Sequence, residues 1–151
     1  MVDFAAISAQ VESHAMASGF FDQVNGHEPK AKPGNGITAA VWLQSIGPDP
    51  EASGLAATTA LVVLNVRVYT NMLSEPPDAI DPAVFAAVDK LITDYSADFA
   101  LAGTVMAVDL LGMAGTPLSA EAGYINQDGT LYRVMTITLP LLISNAWTQA
   151  A

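Results

Sequence analysis

The run Leu61-Val62-Val63-Leu64-Asn65-Val66-Arg67-Val68-Tyr69 constrains this chain more than any other segment. Branched side chains are stiff at χ1 and fit a pleated surface better than a helix. A strand is therefore predicted over 55–70. Its period of two puts Val62, Leu64, Val66 and Val68 on one face and Asn65, Arg67 and Tyr69 on the other. The first face is apolar and belongs in a core. The second is polar, so it is either wet or in contact with another subunit.

Two stretches read as helices. In 3–18, Phe4, Ile7, Val11 and Ala15 recur at helical spacing, with Asp3 as N-cap and Gly19 as C-terminal cap. In the second, Asp81 is the expected N-cap and Pro82 the first helical residue. There Val84, Phe85, Val88, Leu91, Ile92 and Tyr95 form an apolar stripe, with Asp89, Asp94 and Asp98 off it. This helix should pack across a sheet.

The remaining strands are shorter. One is predicted at 20–24 and another at 37–46, where Ile37, Ala39, Val41 and Leu43 share a face and Trp42 takes the opposite one. A strand is predicted at 104–111. The runs 120–127 and 130–139 flank Asp128-Gly129, a two-residue hairpin signal because both positions tolerate positive φ. That register sets Tyr124 opposite Arg133, an aromatic–cation pair worth about 0.5–1 kcal/mol. Loops are marked by 25–36, Gly47-Pro48-Asp49-Pro50, Glu75-Pro76-Pro77-Asp78 and 112–117. Residues 144–151 read as a C-terminal tail with Trp147 as its anchor. The order helix, strands, helix, strands predicts an α+β fold. Two main helices pack on a mostly antiparallel sheet, in a single domain over 1–151.

Composition narrows the function. The chain has 151 residues and is 52% hydrophobic, with 26 alanines, so its core is built from small pieces. Charged residues are 13%, about half the usual share, which points to buried subunit surface or a large polar-neutral one. The net charge of -10 argues against gripping nucleic-acid phosphates and against docking on an anionic membrane. With no cysteine, disulfides, thiolate zinc sites and thiol nucleophiles are excluded. The opening Met1-Val2-Asp3-Phe4 carries an acid where a signal peptide has a positive region, so no targeting segment is expected. The uncharged stretch 134–151 contains Pro140, Thr136, Thr138, Ser144 and Asn145, too polar for a membrane span.

No constellation carries catalysis. His14 falls near the buried edge of the first helix and reads as a structural histidine. His27, beside Glu28 in a Gly/Pro loop, reads as a solvated loop residue, and it is the one support for a small enzyme or binding module. No serine sits in a Gly-x-Ser-x-Gly elbow, and Gly34-Asn35-Gly36 precedes a strand, so it meets neither phosphate-loop pattern. No catalytic residue, metal or cofactor is expected. Candidate contact residues between subunits are His27, Lys30, Lys32 and Asn35 in the loop, Asn65, Arg67 and Tyr69 on the polar strand face, and Trp147.

Several segments taken in order carry a resemblance. They are the opening helix; Val24-Asn25-Gly26-His27-Glu28-Pro29-Lys30 with Pro33-Gly34-Asn35-Gly36 and the strand from Ile37 to Trp42; Val66-Arg67-Val68-Tyr69; Asp81-Pro82; Val108-Asp109-Leu110-Leu111-Gly112; and Gly123-Tyr124 through Asp128-Gly129 to Tyr132-Arg133-Val134-Met135. Over about residues 3–148 the chain resembles the tail terminator proteins of long-tailed phages, in the form found among phages of actinobacteria. The resemblance implies a sheet flanked by helices and a homo-hexameric ring at the head-proximal end of the virion tail. Such a ring is assembled in the host cytoplasm. It halts polymerisation of the tail tube protein, meets the head-closure or neck protein, and lets genome DNA pass through its centre. It implies no catalytic residue, no cofactor and no membrane. A head-closure or tail tube subunit of the same virion is the alternative in the same class.

Overall fold

The computed structural model describes residues 1–28, 36–51, 53–54, 56–73 and 76–148. In chain order the elements are α1 (Phe4–Ala17), β1 (Gln23–Asn25), β2 (Ile37–Pro48), β3 (Ala57–Asn71), α2 (Ile80–Ala97), β4 (Ala107–Val108), β5 (Ser119–Gln127) and β6 (Thr130–Thr148). Short 3₁₀ turns lie at Pro77–Ala79 and Leu101–Gly103. The strands form one six-stranded sheet ordered β1-β2-β3-β6, with β4 and β5 both on the far edge of β6. The β1–β2 pair is parallel and the others are antiparallel. The fold class is α+β.

β3 and β6 form the centre, paired from Asn71↔Tyr132 at one end to Ala57↔Thr148 at the other. The predicted hairpin is present. Asp128 (φ 52°) and Gly129 (φ 80°) make a turn with two left-handed residues, which matches the twist of the strands they join. β6 does not stop at Leu139. It continues through Thr148, so 144–148, expected as a tail, is strand paired with the start of β3. Pro140 does not break it, for a local reason. Its carbonyl accepts from Asp109 N–H at 3.0 Å, so its missing N–H falls on the β4/β5 side, at the gap between those strands, and removes no bond from the β3 ladder. Asn145 (φ 53°) forms a bulge where the β3–β6 register shifts.

The core lies on one sheet face, under both helices. Val62, Leu64, Val66 and Val68 of β3 are all fully buried there, as their alternation predicts. Burial of each contributes about 1.5–3 kcal/mol. Ile7, Val11 and Ala15 of α1 and Val84, Val88, Leu91 and Tyr95 of α2 cover them, with Ala39, Ala60 and Ala87 as the small pieces that let backbones approach. Tyr95 donates from its hydroxyl to the Val11 carbonyl at 3.2 Å, joining the helices. Burial pushes the Tyr95 phenol far up, so it stays protonated. Asp3 caps α1, accepting from Ala6 N–H at 3.1 Å, and Gly19 follows the helix with φ 80°.

Four local expectations are corrected. α2 starts at Ile80 behind the 3₁₀ turn, with Ala79 at the N-cap, so Asp81 is in the first turn and its carboxylate meets Arg133 instead of capping. Phe85 is 62% exposed, because the buried stripe runs Ile80, Val84, Ala87, Val88, Leu91, Tyr95 and leaves position 85 to the side. Leu43 is 44% exposed on the part of β2 where a bulge follows. The strand predicted over 104–111 shrinks to Ala107–Val108, because two turns take its ends. In the first, Leu101 and Ala102 have positive φ and the Asp98 carboxylate holds Ala102 N–H at 3.1 Å. In the second, the buried Asp109 accepts from Met113 and Ala114 N–H, both at 2.9 Å.

Candidate functional site

Both helices use the same sheet face, which leaves the other face with no helix on it among the described residues. The side chains of that second face follow from register. Trp42 pairs with Asn65, and Ala40 with Arg67, across β2–β3. Arg67 pairs with Thr136, and Tyr69 with Val134, across β3–β6. Glu121 pairs with Thr136, and Ile125 with Tyr132, across β5–β6. Residues directly opposite share a face, so these form one continuous surface.

Half of this surface is a second small core. Ala40, Tyr69, Tyr132 and Val134 are buried together, with Trp42 and Ile125 packed against them. Tyr69 meets Tyr132 edge to face at 6.3 Å. Burial pushes the Tyr69 hydroxyl up; the hydrogen bond and charge of Arg67 oppose that rise, and the Glu28 carboxylate adds to it. Tyr69 is only 2% exposed, covered by its own chain.

The other half is a groove of about 330 Å³ lined by Arg67, Glu121, Gly123, Ile125, Val134 and Thr136, among others. Gly123 opens it by placing no side chain between Glu121 and Ile125. Arg67 lines it from β3, in one cross-strand row with Thr136 and Glu121. Its Nε donates to Thr136 Oγ1 at 2.7 Å, and its guanidinium lies 5.1 Å from the Trp42 ring centre and 5.9 Å from that of Tyr69. Ion pairs among the described residues are His14–Asp98, Lys90–Asp94 and Arg133–Asp81. Arg67 is in none of them. Among the described residues this half-buried guanidinium makes no ion pair, although Glu28 acts on the neighbouring Tyr69 and Glu121 lies in its cross-strand row.

A second cluster sits on the helical side. Arg133 donates to Asp81 at 2.9 Å and to the Gly123 carbonyl at 3.2 Å, and stacks over Tyr124 at 4.4 Å. Hollows of about 370 and 200 Å³ flank it, the smaller one walled by Phe85 and Met135. The bond to Asp81 holds Arg133 even more firmly in its charged form.

The other predicted contacts are dispersed. His27 is exposed just past β1, and Trp147 is 38% exposed at the far end of β6. Lys30, Lys32 and Asn35 lie outside the described residues. Of the predicted set, Asn65, Arg67 and Tyr69 share this sheet face with Trp42 beside them, Tyr69 being buried in it. Sequence reasoning missed Thr136, Glu121 and Tyr132 as their neighbours; the hairpin register, carried one strand further to β3, was the signal that locates them. His14 is structural in the sense expected: it bonds Asp98 at 2.9 Å and meets Tyr95 edge-on at 5.6 Å. Among the described residues, no three acids or histidines converge as a metal site, and no helix is long and apolar enough to cross a membrane. No family model matches the chain, and no curated protein matches it significantly.

Proposed function

We propose that this chain is the subunit of a closed ring that terminates the tail tube of a long-tailed phage. In this reading it works mechanically and carries no chemistry. The ring of six copies stops the tube protein from polymerising, offers its opposite side to the head-closure protein, and lets DNA through. It resides in the virion at the head-proximal end of the tail, after assembly in the host cytoplasm.

The observation that carries the reading is the sheet face left without a helix, with Arg67 on it lacking a carboxylate partner among the described residues. A surface of that kind is covered when copies pack on one another. The low charge content of the chain fits a subunit with much of its surface hidden. Different patches meeting head to tail close into a ring when the rotation between copies permits. The net charge of -10 suits a channel through which DNA slides, because carboxylates repel phosphates.

Electron microscopy of the purified protein tests this. Single rings with a central hole, which block elongation when added to growing tail tubes, are the expected result. Long cylinders of the protein alone would assign it to the tube instead.

A further inference from the structure

We infer that in the assembled ring the open sheet face of one copy receives the outer side of α2 from the next, with Asp89 of that neighbour paired to Arg67. The inference rests on the ring reading and names the contact that builds it.

Arg67 has five N–H donors in a fixed fork and lines a groove, with no carboxylate in an ion pair with it among the described residues. A partly desolvated cation at an interface is complemented by an anion from across it. The chain carries 15 acids against 5 basic residues, so a second copy brings that anion.

α2 offers the matching surface. Phe85 is 62% exposed, and Asp89 is exposed one turn later on the same side of the helix. Lys90, next to Asp89, is occupied by Asp94 at 2.8 Å, and Asp89 is in no ion pair among the described residues. The Cβ atoms of the two thus stand about 6 Å apart. The groove has the complementary pair: apolar walls at Ile125 and Val134 for the ring, and Arg67 for the acid. Glu121 stands in the same cross-strand row, beyond Thr136 from Arg67, so an incoming carboxylate must seat on the Arg67 side of Thr136. A helix on this face covers it as α1 and α2 cover the other. Helix side and sheet face are different patches, so the contact is head to tail, the type that closes rings.

The test is a charge swap read by sedimentation over a range of concentrations, with thermal melts to establish folding. Arg67→Glu and Asp89→Lys should each raise the concentration for half-assembly about tenfold or more, and the two together should recover assembly. Arg67→Gln and Asp89→Lys, the second on an exposed helix surface, decide the matter if Arg67→Glu does not fold. Folded single variants that assemble like the parent, or a double variant no better than either single, overturn the contact while leaving the ring intact. A parent protein that stays monomeric overturns both the contact and the ring.

Discussion

Arg133 donates from Nε to the Asp81 carboxylate at 2.9 Å, and this bond ties the β5–β6 hairpin to the first turn of α2. The same side chain stacks over Tyr124 and reaches the Gly123 carbonyl. Asp81 is 69% exposed, so the ion pair by itself is worth little after solvent screening. The stacking and the shielded bond to Gly123 add to it. Arg133→Ala is therefore expected to lower stability. Arg133→Lys should recover only part, because a point charge cannot serve the forked geometry. Urea unfolding of the two variants measures this; an alanine variant as stable as the parent refutes it.

Asp98 gives the chain an acid-sensitive joint. Its carboxyl is held below the usual carboxylate range, first by Ala102 N–H and next by His14. A lowered folded pKa means that the stabilisation is present above the ordinary value and is lost as pH falls through the lowered one. Asp98→Asn should thus be less stable than the parent at pH 5–6, and the difference should close in acid below about pH 4. Urea midpoints across that range decide it. A gap that widens toward low pH contradicts the assignment.

Leu64 and Phe85 should separate folding from surface. Leu64 is fully buried under both helices, so Leu64→Ala is expected to cost about 2–5 kcal/mol. Phe85 is largely exposed, and Phe85→Ser should change the stability of the monomer by less than about 0.5 kcal/mol. Thermal melts at low protein concentration compare them. A large loss for Phe85→Ser means that its ring matters to the fold within one chain.

Two glycines with left-handed backbone predict different costs. At Gly129 (φ 80°) an added Cβ meets nothing within 4 Å, so Gly129→Ala carries only backbone strain of about 1 kcal/mol. At Gly112 (φ 73°) the added Cβ would lie 2.6 Å from Pro117 N, so Gly112→Ala must also displace the loop held by Asp109. The second variant should be the less stable by calorimetry; the reverse order would show that the loop yields freely.

The alternation of Val62 through Val68, the helix over 3–18 and the Asp128-Gly129 hairpin were legible because each depends on neighbours in sequence. The pairing of Tyr124 with Arg133 followed from a two-residue turn alone. What was hidden depends on contacts distant in sequence. The continuation of β6 past Pro140 requires Asp109 on one side and β3 on the other. Tyr69 looked like surface until Tyr132, 63 positions away by number, closed over it. The 104–111 strand lost its ends to carboxylates that grip backbone N–H groups, an effect hydropathy does not report. Arg67 was visible as a candidate contact, but its standing in no ion pair among the described residues depends on where distant charges fall in space.

We propose that this chain hides its open sheet face against copies of itself, and light scattering on the purified protein over a hundredfold range of concentration measures whether it does. One closed species of about six times the 15.7 kDa of a single chain is expected, with no growth beyond it. A particle of 15.7 kDa at every concentration contradicts it.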